Sequence, residues 1–189
     1  MKNLLNCHSI GLHSFPMSLR DNGTYKRVFY ADYHHELWKP VEIAIHPHHV
    51  DIKITVLDGE LYNPLYKLDD NGELYKEFVW SSHILNGKGG FTYLGEQGLK
   101  QLSNIKYKQG ESVIMRACEM HTVQIEKGKK CVWLIEESLP TCDYLPINYS
   151  KKDLNNWTPD GLYIECDHET RQKYIYSYID LLRLLLYGS

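Results

Sequence analysis

Short apolar stretches of strand period alternate with polar turns along most of this chain. A two-residue alternation marks YKRVFYADY (25–33), VEIAIHPH (41–48) and ELYKEFVWSSHIL (73–85) as strands, and DIKITVLDGELYNPLYKL (51–68) as one or two more, the first run ending at Asp-Gly. The Asp-Asn-Gly at 21–23 is a turn signal, and DDNG (69–72) predicts a hairpin between two strands. NGKGG (86–90) reads as a loop, and FTYLGEQGLKQL (91–102) is ambiguous. GESVIMRA, HTVQIE and KCVWLIEE (within 110–137) are three further short strands, and 138–168 is irregular, with three of the seven prolines. ETRQKYIYSYIDLLRLLL (169–186) changes period: Ile175, Ile179, Leu182 and Leu186 recur at helical spacing with no Gly or Pro between them. Many short strands with turns between them predict a mainly β fold, an antiparallel sandwich or barrel. The expected organisation is one β domain over 1–168 with its core at about 25–137. A helix over 169–189 would pack on it or on a second subunit, which allows a homodimer.

Composition narrows the classes. At 189 residues the chain has length for a real core, and 43% hydrophobic with 24% charged residues is ordinary for a globular domain. A net charge of -3 gives no basic surface for nucleic acid. No apolar run approaches the ~20 residues of a membrane span. MKNLLNCHSIGLHS is a poor signal peptide, so a cytoplasmic location is expected. The five cysteines, Cys7, Cys118, Cys131, Cys142 and Cys166, are odd in number and lack CxxC spacing; reduced thiols are expected.

The stretch IHPHHVDIKITVLDGEL (45–61) carries the candidate chemistry. Residues two apart in a strand share a face, with Cα atoms roughly 6.5–7 Å apart. His46 and His48 therefore converge, with Pro47 turned away. If parity holds, Ile52, Ile54 and Val56 continue that face. Two histidines make a poor metal site, and His121 offers a third ligand: it opens a strand, with Val123 and Ile125 behind it. Two β segments about seventy residues apart thus each place histidine at the end of an apolar stripe.

HPHHVDIKITVLDGEL and GESVIMRACEMHTVQI resemble the two motifs of the cupin superfamily, over roughly residues 25–137. The resemblance implies a cupin-type antiparallel β-barrel, or jelly roll, with His46, His48 and His121 as metal ligands. The position of the family's usual glutamate, counted back from Gly59, is Ile52, which cannot coordinate. Cupins without that acid include the thiol dioxygenases, and IHPHHVDIKITVLDGELY and MHTVQIEKGKKCVWLIEESLP are similar to their motifs. That resemblance implies Fe(II), with Mn, Ni or Zn as other divalent choices, and a small-molecule substrate plus O2 as partners. It also implies a substrate-binding arginine, for which Arg27 and Arg116 are candidates. Tyr93 and Tyr107 are candidate pocket residues. A sugar or sugar-phosphate isomerase or epimerase, and a non-catalytic binding module, stand as alternatives. His49 and Asp51 are expected to face away from the site; a β-bulge at His49-Val50 would bring Asp51 inward. The other histidines, GKGG (87–90) and EKGKK (126–130) read as ordinary surface and loop features.

Overall fold

The computed structural model describes residues 13–19, 25–34, 43–81, 90–141, 143 and 147–154, with isolated positions from 168 to 187. Eight strands are present among them: β1 His13–Leu19, β2 Tyr25–Asp32, β3 Val50–Ser81, β4 Gly90–Lys108, β5 Ser112–Met115, β6 Met120–His121, β7 Lys130–Pro140 and β8 Ile147–Ser150. Every strand pairing is antiparallel. The mainly β expectation holds. The helix expected over 169–186 lies, apart from isolated positions, outside the described residues. Strands also reach beyond 25–137, since β1 pairs with β2 and β8 pairs with β3.

β3 organises the molecule. Its first ten residues pair with β7 and β5; from Glu60 onward it pairs with β4. The change of sheet falls at Gly59, whose φ of +79° suits glycine and where a Cβ would run into the Lys130 carbonyl oxygen. Asp-Gly is therefore a bend inside one strand, not its end. The hairpin expected at DDNG is also absent. Leu68 and Glu73 both oppose Leu99, so residues 69–72 bulge out and the strand resumes in the same direction. Asp69 Oδ1 accepts the Asn71 N–H at 3.1 Å, closing a local turn without reversing the chain. The ambiguous 91–102 is β4, fixed by its long pairing with β3.

The core lies where the inner faces of these strands meet. Ile52, Ile54 and Val56 are each 1% exposed and pack with Phe29, Trp133, Leu61, Val123 and Ile125. Phe29 and Trp133 stack at 5.3 Å. Each such buried side chain contributes roughly 1.5–3 kcal/mol of apolar transfer. The even-numbered stripe that follows His48 is thus the core face, as its alternation predicts.

A candidate three-histidine centre

His46 and His121 lie on neighbouring segments joined by reciprocal backbone bonds. His46 N–H donates to His121 O at 2.9 Å, and His121 N–H donates to His46 O at 3.1 Å. His121 is also paired with Leu65 of β3. Of the expected strand 41–48, the described residues 43–48 form bridges at Ile45 and His46, and HTVQIE is reduced to β6 with a further bridge from Gln124 to Tyr62. These few bonds suffice to set the two rings side by side. His48 lies just before β3, and its carbonyl accepts the Cys118 N–H at 2.7 Å. Ring centroids are 4.8 Å (His46–His48), 5.0 Å (His46–His121) and 5.1 Å (His48–His121) apart.

The three rings each offer a nitrogen, all within 4.8 Å of one another. His46 Nδ1 lies 2.8 Å from the Ala44 carbonyl, and His121 Nδ1 lies 2.7 Å from Asn63 Oδ1. A carbonyl oxygen accepts only, so each Nδ1 carries the proton and each Nε2 presents a lone pair. Burial holds the His46 imidazole below its ordinary value, with the Ala44 carbonyl opposing it. Burial, then neighbouring His46 and His48, hold His121 well below. Both are neutral near pH 7, the form that binds metals.

One of the three nitrogen spacings suits an ion as it stands, the whole set lying within 4.8 Å. With metal–nitrogen bonds of about 2.1 Å, cis ligands on an octahedron lie about 3.0 Å apart. His48 Nε2 and His121 Nε2 are 3.0 Å apart. No carboxylate joins the cluster among the described residues. Ile52, at the position of the expected acid, is core.

Asp51 is engaged elsewhere. Its Oδ1 accepts the Ala117 N–H at 2.7 Å and its Oδ2 binds Arg116 at 2.8 Å. The Ala117 N–H, then Arg116, hold its carboxyl below the usual range. The register does shift beside it, but the extra residue belongs to β7: Val50 opposes Pro140 and Ile52 opposes Glu137. Asp51 thus clamps the turn that leads to His121. His49 is exposed, as parity requires.

The remaining candidates separate. Arg116, with a side chain 71% exposed, belongs to the Asp51 clamp. Tyr93 packs on Phe78 at 5.6 Å, in an aromatic group with Phe91 and Trp80. Tyr107 packs against the main core. Arg27 opposes Ile135, which in turn opposes Ile54, so it shares the inner face, where its Nε lies 3.8 Å from Glu137. A cleft of about 670 Å³ is bordered by Tyr66, Tyr75, Tyr149, Gln101 and Lys151 and reaches Val123 and Ile125 of the core cluster. Ile45 and Thr122, next to His46 and His121, border it too. Cys118 contradicts the expectation of reduced thiols: it is disulfide-bonded. Cys131 is free, and burial pushes its thiol up to about 12, which makes it inert.

Sequence reasoning missed Asn63. It shares parity with the inward Leu61, and a polar residue inside an apolar stripe is the signal that marks it.

The fold and cluster define an antiparallel β protein with a largely buried three-histidine centre. No family model matches the chain, and no curated protein does. Similar solved structures include a cupin-2 domain protein from Shewanella frigidimarina: 13% identity, TM-score 0.37, covering 68% of this chain and 79% of that one. A hydroquinone 1,2-dioxygenase in complex with Cd2+ and 4-hydroxybenzonitrile shows 16% identity and TM-score 0.38, covering 64% of this chain and 60% of that one. This chain therefore spans less than two thirds of that dioxygenase. A protein with a double-stranded β-helix domain from Klebsiella pneumoniae shows 17% identity and TM-score 0.37, covering 78% and 92%. Among the described residues, no helix is long and apolar enough to cross a membrane.

Proposed function

We propose that this chain is a cupin-type non-haem Fe(II) dioxygenase acting on a small thiol or similar chelating substrate. The observation that carries the reading is the convergence of His46, His48 and His121 without a carboxylate among the described residues. Three neutral nitrogens on one side of an ion leave about three positions, enough for a chelating substrate and O2 together. The chain's own residues do the rest. Ala44 and Asn63 fix the ring protons away from the ion. Val123, Ile125 and Leu61 line the inner face with apolar surface. Arg27 is the candidate anchor for a substrate carboxylate, because it is a cation on the inner face and Glu137 already holds it in place.

Protein purified without chelators or a histidine tag should contain iron. Adding cysteine, cysteamine, 3-mercaptopropionate or an N-terminal-cysteine peptide to the ferrous protein should consume oxygen. Metal without uptake on any of these would favour the isomerase reading. Absence of metal binding would favour a ligand-binding module.

A further inference from the structure

β4 closes one side of the sheet. Its inner edge pairs with β3 from Gly90 to Lys108, and among the described residues no strand pairs with its outer edge. A 19-residue strand with an open edge is a template for another strand unless something blunts it. Here the blunting is confined to two points. Leu94 is an extra residue between the Phe78↔Tyr93 and Glu77↔Gly95 pairs, and Leu102 is an extra residue between Tyr66↔Gln101 and Leu65↔Ser103. Between them, 95–101 contains no bulge on β4. Leu94 is 53% exposed and Leu102 is 58% exposed.

Gly98 sits midway between these leucines. Glu96 and Lys100, two residues to either side, share its face. Both are exposed, and neither has an ion-pair partner among the described residues. When two identical strands pair antiparallel about a twofold axis normal to the sheet, opposed residues must share a face, so the axis lies midway between one residue and its own copy. With the axis at Gly98, Glu96 meets the partner's Lys100 and Lys100 meets the partner's Glu96, all within the unbulged 95–101 stretch. Moving the axis to Gln97 sets Glu96 against the partner's Gly98, and moving it to Leu99 sets Lys100 against the partner's Gly98. Charge matching therefore selects Gly98.

We infer that two copies of this chain pair through the outer edges of β4 about Gly98 to form a homodimer. This does not rest on the proposed chemistry, since the edge is remote in sequence from all three histidines. Gly98 itself is needed for folding, because a Cβ there would run into the Asp69 carbonyl oxygen. The test therefore uses the charges. Sedimentation velocity of the full chain over a concentration series should show a monomer–dimer equilibrium. Glu96→Lys and Lys100→Glu each replace two cross-strand attractions by two repulsions, and each should weaken association roughly tenfold or more. The double reversal should restore the dimer. An equimolar mixture of the two single variants should also restore it, as a heterodimer. One variant then carries lysine at both positions and the other glutamate at both, so opposite charges face each other across the pair. A wild-type chain that stays monomeric at every concentration overturns the inference. A dimer unmoved by either single reversal, or not rescued by double reversal and mixing, overturns it as well.

Discussion

Asn63→Leu is the sharpest perturbation of the centre, because it replaces no proposed ligand. Asn63 is 3% exposed and His121 is 2% exposed. The substitution keeps the number and branching of side-chain heavy atoms, and it removes the acceptor 2.7 Å from His121 Nδ1. The weaker donation from Nδ2 to Met115 Sδ, at 3.3 Å, goes with it. A buried N–H left without a partner costs about 1–3 kcal/mol. For a domain of this size that is a fall of about 4–8 °C in Tm for the middle of the range. It also frees the ring to turn or to move its proton to Nε2, and loss of such a partner typically lowers metal affinity roughly 10–100-fold. The apo Tm reads the first effect, and a titration with Co(II) reads the second. Asn63→Asp separates the causes. It keeps an acceptor, so the ring stays oriented, and its charge favours a protonated imidazole. If Asn63→Leu changes neither Tm nor Co(II) affinity, the Asn63 bond does not hold His121 and the account of the centre is wrong.

His48→Ala should abolish most metal uptake in a Co(II) titration, whereas His49→Ala should leave it nearly unchanged; equal effects would show that the parity assignment is wrong. Asp51→Asn should hardly move metal affinity, because its carboxylate binds Ala117 and Arg116 and not the cluster. A large loss of metal with the fold intact would make Asp51 a ligand. The pH dependence of apo stability should follow His46 and His121, whose folded values are lowered. The unfolded chain then binds protons first, so stability is complete above about pH 6.5 and falls as pH drops below it. Equilibrium denaturation of the apo protein that is flat from neutral pH down to about pH 5 would contradict that.

What the sequence discloses here is parity, and what it hides is partnership. Period two placed Ile52, Ile54 and Val56 behind His48, and turned His49 and Asp51 outward, because each of those statements concerns one strand and its two faces. Gly59 shows the limit. Asp-Gly ends a strand in local terms, yet β3 passes through it and exchanges β7 for β4 as its neighbour. DDNG fails for the same reason: turn chemistry is present and acts locally, but pairing with β4 resumes beyond it and outweighs the reversal. β6 is two residues long because its register comes from β3 and from His46, not from its own composition. Asn63 was half legible. An inward polar residue must find a partner, so the stripe containing Leu61 announces that one exists. Which partner follows only from the pairing of 61–66 with 120–124, which brings Asn63 to the Nδ1 of a histidine 58 residues away. A centre of this kind is therefore readable as two half-sites, each with its face assigned. The sheet register then decides whether the halves meet and which second residue fixes the ring.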